Sequence, residues 1–235
     1  MKSRTKLLKR SQGSPDKSLK EKLLRSGGVY LILDRDNLDK LTLKKISGLF
    51  SNKAIGLIQL RDKVSDKADL LNYAFKLKKS LGSSSKALFI INDYLDLAIA
   101  SQADGVHLGQ GDLSLSKARK LLGKDKIIGV SCHSLAQALK AQKGGADYIG
   151  IGPIYSTATK PEYKAIGLEV LRKLKGKIKI PYYAIGGIDK TKIARIVEAG
   201  ATRIAVCRAI LKADNPDRAA NQLFTEIKNN YFKFK

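Results

Sequence analysis

The chain has 235 residues, 43% of them hydrophobic, enough for one substantial core, and 45 Lys and Arg against 21 Asp and Glu give it a formal charge of +24. No apolar run approaches the roughly 18 residues that span a bilayer, the N-terminus lacks the apolar centre of a secretory signal, and two cysteines are too few for a disulfide framework or a zinc site. A soluble, cytoplasmic protein is expected, with an anionic partner drawn from nucleic acid, an anionic membrane or phosphorylated metabolites.

Residues 1–28 hold nine basic and two acidic side chains interspersed with serines, and read as a basic extension, disordered or loosely helical, ahead of a catalytic domain over 29–235. The composition also suits a targeting peptide or a nucleic-acid tail. From Val29 onward, short β-branched apolar runs alternate with stretches of helical period, which predicts βαβ units and a parallel sheet. Strands are expected at 29–34, 54–61, 87–92, 105–108, 126–131, 148–152, 182–185 and 203–206. Helices at 66–81, 114–122 and 135–143 each begin at a Ser or Asp cap or directly beside one.

Eight β then α repeats predict a single-domain (β/α)₈ TIM barrel. The rival, a doubly wound open sheet, would place a glycine-rich phosphate loop after the first strand, where this chain has Asp34-Arg35-Asp36-Asn37. Most lysines fall on polar helix faces, as at Lys78-Lys79 and Arg172-Lys173, without the interleaved aromatics of a single-strand binder, so no nucleic acid and no membrane is expected as partner. Monomer and homo-oligomer are both left open. Cys132 and Cys207 are expected as buried thiols.

Active sites of such barrels stand on the loops that follow the strands. Those loops carry Gln59, Arg61 and Lys63; Asn92 and Asp93; Gln110 to Asp112; Ser131 and His133; Thr157 to Lys160; Gly186-Gly187; and Cys207-Arg208. Arg61 and Lys63 alternate with Asp62, so the period of two turns both cations to one side with Gln59, a set suited to a diphosphate. An ion pair with Asp62 is the competing explanation. Asp93 and Asp112, on neighbouring strands, could meet over the mouth and suit Mg²⁺, though helix capping would explain either.

The loop 152–160 is long, rich in hydroxyls and ends in Lys160, which suits anion capture. Gly186-Gly187 and the backbone after strand 8 occupy the quarter where such barrels bind phosphate monoesters, although a turn requiring positive φ would also explain the glycines. His107 is expected as a packed core residue. His133 is open between organising the mouth and acting as an acid or base.

Taken in order, Gln59-Leu-Arg-Asp-Lys63, Ile91-Asn-Asp93, the run 103–112, Gly129-Val-Ser-Cys-His133, the run 146–160 and Ala184-Ile-Gly-Gly-Ile188 resemble the thiamine phosphate synthase family from about Val29 to the C-terminus. The resemblance implies a transferase of thiamine biosynthesis. It would join 4-amino-5-hydroxymethyl-2-methylpyrimidine diphosphate to 4-methyl-5-(2-hydroxyethyl)thiazole phosphate by dissociative loss of diphosphate. By the same resemblance Gln59, Arg61, Lys63, Asn92 and Lys160 grip the diphosphate, Asp93 and Asp112 ligate Mg²⁺, and Ser131 lies near the reacting pyrimidine. Thr157, Thr159, Gly187 and the strand 8 end form the thiazole phosphate pocket. Arg61, Lys63, Ser131 and Lys160 are the expected catalytic residues.

Arg208 departs from the serine that many members carry near the end of strand 8. Two readings compete: a thiazole tautomerase on the same barrel with His133 as acid/base, and a basic nucleic-acid-binding or regulatory barrel. The first needs no diphosphate clamp and the second leaves the carboxylates unexplained. Arg61→Ala and Asp93→Asn are expected to abolish most turnover while sparing the fold, because both lie at the mouth.

Overall fold

Apolar runs too short to span a core on their own become stable when neighbouring runs share hydrogen bonds and both faces are covered, and that arrangement governs this chain. The computed structural model describes residues 28–38, 43–81, 87–159 and 163–234, together with Glu21. Eight parallel strands pair in sequence order and the eighth returns to the first, closing a barrel. They are β1 (Gly28–Asp34), β2 (Ile55–Arg61), β3 (Leu88–Asn92), β4 (Gly105–Leu108), β5 (Ile127–Cys132), β6 (Tyr148–Ile151), β7 (Tyr182–Ile185) and β8 (Arg203–Val206). The open-sheet alternative is thereby excluded, and each expected strand lies within one residue of its observed bounds at either end.

Helices separate the strands: α1 (Leu43–Ser51), α2 (Lys67–Leu81), α3 (Leu95–Ala100), α4 (Leu115–Leu122), α5 (Leu135–Lys143), α6 (Glu169–Leu174) and α7 (Ile193–Glu198). Two more, α8 (Arg208–Leu211) and α9 (Pro216–Lys233), follow β8. Asp66 opens α2 by accepting the Asp69 N–H at 2.8 Å, and Ser134 opens α5 by accepting that of Gln137 at 3.3 Å. Ser114 stands before α4 but makes no side-chain capping bond, contrary to expectation. The longest helix, α9, starts at Asn215, whose side chain accepts the Arg218 N–H at 2.9 Å, with Pro216 at its first position, where its missing N–H costs nothing.

Every residue of β1 is buried because its two faces meet two different apolar layers. Val29, Leu31 and Leu33 face the helices, whereas Tyr30 and Ile32 enter the barrel with Leu57, Ile90, Tyr148 and Tyr183. Inside, Tyr30, Tyr148 and Tyr183 meet edge to face with centroids 5.2–5.7 Å apart. Gly129 on β5 makes room for this cluster, since a Cβ there would lie 2.1 Å from the Tyr148 ring.

Cys132 is buried as expected, but Cys207 is only half-buried, because it stands one residue beyond β8 rather than inside it. The expected basic extension lies outside the described residues apart from Glu21 and Gly28. Among the described residues no helix is long and apolar enough to cross a membrane.

Candidate active site

A cavity of about 420 Å³ opens where the strands end. Gln59 and Arg61 from the end of β2, Asn92 from β3 and Ser131 from β5 line it. Thr157 and Thr159 from the loop after β6, Gly187 after β7 and Arg208 after β8 line it as well. The period of two along β2 puts Gln59 and Arg61 on the interior face together, as anticipated. Lys63 lies past the strand end and does not line the cavity; it joins Asp93 and Asp112 in a charged cluster beside Asn92. Lys160 lies outside the described residues.

Asp62 is not the partner of either cation. Its Oδ1 accepts the N–H groups of Val64 at 3.0 Å and Ser65 at 2.9 Å, and its Oδ2 faces Arg35 Nε at 3.4 Å. Burial alone would raise its pKa, but those hydrogen bonds and Arg35 outweigh it and hold the carboxyl below its usual value. The partner of Arg61 is Asp34, a buried carboxylate at the end of β1 that accepts from Nη1 while Asn37 Nδ2 donates to its other oxygen at 3.2 Å. Arg61 Nε has no acceptor among the described residues. The guanidinium is thus held by one edge, with donors left over for a ligand.

Lys63 Nζ donates to Asp93 Oδ2, and the carboxyls of Asp93 and Asp112 are themselves in hydrogen-bonding contact. Asp93 reaches that position through a left-handed backbone, φ 61°, with its N–H donating to the His107 carbonyl at 2.8 Å. Such a φ in a non-glycine residue is strained, and strain of this kind concentrates at functional sites. Asp112 Oδ2 accepts the Gly109 N–H at 2.6 Å. Burial, and then the adjoining Asp93, push the Asp112 carboxyl above its usual pKa. Neither aspartate caps a helix: α3 begins behind Tyr94 and α4 behind Ser114. Two carboxylates in contact need a proton or cationic charge beside them; Lys63 supplies one such charge, and among the described residues no third His, Cys, Asp or Glu converges with them. That donor set suits a hard ion completed by waters and ligand oxygens.

After β7, Gly186 and Gly187 have φ of 98° and 62°, and a Cβ on Gly187 would lie 2.4 Å from the Ser156 carbonyl oxygen. The turn and the close approach of the 152–160 loop both demand glycine here. Within that loop the Thr159 N–H donates to Thr157 Oγ1 at 3.3 Å. Arg208, exposed at the start of α8, adds a cation beside the unpaired first N–H groups of that helix.

His107 is buried as expected but is also part of the cavity wall, with Nε2 2.9 Å from Ser131 Oγ. His133 gives its Nδ1 hydrogen to the Gly152 carbonyl and stacks on Tyr163 at 5.3 Å, so its role at the mouth is at least to tie β5 to the loop after β6. Sequence reasoning passed over Tyr30, Asp34, Lys192 and Lys212. Asp34 carried a signal, since it ends the first strand as the other site residues end theirs. Lys192, which donates to the Gly187 carbonyl at 2.6 Å and to Asp189 at 2.8 Å, carried none.

Residues 29–210 match the family model described as thiamine monophosphate synthase. A thiamine-phosphate synthase of Clostridium acetobutylicum is 43% identical over 205 residues, covering 87% of this chain and 97% of that protein. One from Synechocystis is 46% identical over 172 residues, and the match takes in 73% of this chain but only 50% of that longer protein. The solved structure of a thiamine phosphate pyrophosphorylase from Pyrococcus furiosus superposes with a TM-score of 0.77 at 33% identity, over 90% of this chain and 98% of that one.

Proposed function

The chain belongs to the thiamine monophosphate synthase family, and from that premise we propose that its barrel mouth condenses 4-amino-5-hydroxymethyl-2-methylpyrimidine diphosphate with 4-methyl-5-(2-hydroxyethyl)thiazole phosphate, releasing diphosphate. The observation that carries the reading is one cavity lined by two polar sets, Gln59, Arg61, Asn92 and Ser131 from the ends of β2, β3 and β5, and Thr157, Thr159, Gly187 and Arg208 from the segments after β6, β7 and β8. Two phosphorylated substrates need two anion sites held side by side.

On this reading Gln59, Arg61, Lys63, Asn92 and Lys160 hold the diphosphate, and Ser131 borders the pyrimidine. As the C–O bond to diphosphate breaks, negative charge grows on the leaving group. Arg61, fixed in advance by Asp34, stabilises that charge more in the transition state than in the ground state. Asp93 and Asp112 would hold Mg²⁺, which supplies further charge neutralisation at the phosphate oxygens. The thiazole nitrogen then attacks the pyrimidine-stabilised cation, and because it carries no hydrogen no general base is needed. Thr157, Thr159 and the backbone at Gly187 orient the thiazole phosphate, with Arg208 supplying an added cation. We place the protein in the cytoplasm, where both substrates and reduced cysteines belong.

The test is incubation of the purified protein with both substrates, and separately with the carboxylated thiazole phosphate alone. Thiamine phosphate and diphosphate in equal amounts support the synthase. Isomerisation of the carboxylated thiazole with no condensation would replace it with a tautomerase reading in which His133 is the acid/base.

A further inference from the structure

Under the cavity, five side chains from five strands form a continuous hydrogen-bonded row. Gln59 Nε2 donates to the Tyr30 hydroxyl oxygen, and the Tyr30 and Tyr148 hydroxyls are 2.8 Å apart. The Tyr148 hydroxyl is 3.0 Å from His107 Nδ1, and His107 Nε2 is 2.9 Å from Ser131 Oγ. The first four residues are buried, Tyr30 at 1% exposure and Tyr148 at 0%; Gln59, Tyr30 and His107 contribute to the cavity wall, and the half-buried Ser131 ends the row there.

With the Gln59 amide nitrogen turned toward Tyr30, the row admits one order of protons; with Oε1 in that place it would admit only the reverse. An amide NH₂ can only donate, so the Tyr30 oxygen receives, and its single hydrogen goes to Tyr148, its only other partner among the described residues. Tyr148 must then donate to His107 Nδ1, which is therefore bare. A neutral imidazole with a bare Nδ1 carries its hydrogen on Nε2, and that hydrogen goes to Ser131 Oγ. The Ser131 hydroxyl, filled as an acceptor from behind, has its own hydrogen left for the cavity. Reversing a single link would set two hydrogens against each other or leave a buried donor unmet, which is costly in a low-dielectric interior.

We propose that His107 and Tyr148 are positioning residues that act through Ser131, fixing its hydroxyl as a hydrogen donor to a ring nitrogen of the bound pyrimidine. The proposal rests on the reading of this wall as the pyrimidine site. Its chemical sense lies in charge. The departing diphosphate leaves a cation that the ring must stabilise by giving up electron density, and a cationic donor at a ring nitrogen would oppose that. A neutral serine backed by a neutral histidine orients the ring while withdrawing less of that density than a charged donor would.

The direct test is nitrogen NMR of the unliganded protein labelled with ¹⁵N-histidine, in which protonated and bare ring nitrogens resonate far apart. The chain has only two histidines, and His133 gives its Nδ1 hydrogen to a carbonyl, so it serves as an internal reference of the opposite tautomer. The expected spectrum has His107 protonated at Nε2 and bare at Nδ1. An Nδ1–H form, or an imidazolium at neutral pH, would overturn the relay.

Tyr148→Phe keeps the ring but removes the link. It should leave His107 without a single tautomer and lower kcat roughly tenfold, about the worth of one hydrogen bond, with KM for thiazole phosphate unchanged. A Tyr148→Phe protein of unchanged kcat would also refute the positioning role. Because the spectrum is read without substrate, an inactive protein showing the expected tautomer would reject the assigned reaction and not the proton order. An active protein showing the reversed tautomer would reject the relay alone.

Discussion

Asp34, the last residue of β1, is the register partner of Arg61, the last residue of β2, and its buried carboxylate accepts a hydrogen from the guanidinium. The pair does two things at once: it neutralises a charge inside the barrel wall and it fixes the cation that faces the cavity. Arg61→Ala is therefore expected to lower turnover by about 10²-fold or more, as removal of a preorganised charge-stabilising donor does elsewhere. It should also destabilise the fold by about 3 kcal/mol, because Asp34 is left buried and unpaired. The expectation from sequence that this variant would keep its full stability is thus revised. Adding Asp34→Asn to Arg61→Ala should recover most of the lost melting temperature and none of the turnover; thermal melts and initial rates on the single and double variants decide it.

The two aspartates beside Lys63 should behave in the opposite way. Asp112 is held against Asp93 at some cost, visible in its raised pKa. Asp112→Asn is expected to leave the melting temperature unchanged or higher while turnover falls at least about 10²-fold, the usual signature of a site that trades stability for function. Asp93→Asn should also fold, since asparagine adopts positive φ as readily as aspartate. A variant that unfolds, or one that keeps full turnover, would contradict the role given to the pair.

Gly187 is needed for both its backbone and its lack of a side chain. At φ 62° and with a prospective Cβ 2.4 Å from the Ser156 carbonyl oxygen, Gly187→Ala should cost roughly 1–3 kcal/mol and displace the 152–160 loop. The predicted kinetic consequence is a rise in KM for thiazole phosphate of more than about tenfold with little change for the pyrimidine diphosphate. Separate saturation curves for the two substrates make the distinction.

The two cysteines in the cavity wall should be inert. Burial, reinforced by the nearby Asp34 charge, pushes the Cys207 thiol up to about 12, and burial pushes Cys132 up to about 12 as well. At pH 8 only about one thiol in 10⁴ is ionised, so iodoacetamide labelling of the folded protein should be far slower than that of the unfolded chain. Mass spectrometry of the alkylated protein reports this; rapid labelling of Cys207 would show that it is ionised and accessible.

The architecture was legible in the sequence because its signal is repetitive. Eight apolar runs of four to eight residues, each followed by a helical-period stretch, leave few arrangements other than a closed parallel barrel. Position along each strand then told which residues reach the mouth, and Gln59, Arg61, Asn92 and Ser131 meet there. What could not be read was pairing. The alternation along β2 says that Arg61 faces inward but not that Asp34 on the adjacent strand will hold it, because register between strands is set by the closed barrel as a whole. The same holds for Tyr30, Tyr148 and His107, which look like ordinary core residues one strand at a time and form a row only when five strands stand in a circle. Lys63 was misplaced because the period of two stops with the strand at Arg61. Cys207 follows β8 as expected, and standing past the strand end it is only half-buried.

The central claim is tested most directly by the rate of thiamine phosphate formation from both substrates after the protein has been stripped with EDTA, measured before and after Mg²⁺ is restored. The account predicts no detectable product in the stripped protein and full recovery with Mg²⁺, with Asp93→Asn and Asp112→Asn failing to recover. Undiminished product formation in EDTA, or recovery in the aspartate variants equal to that of the unaltered protein, would contradict it.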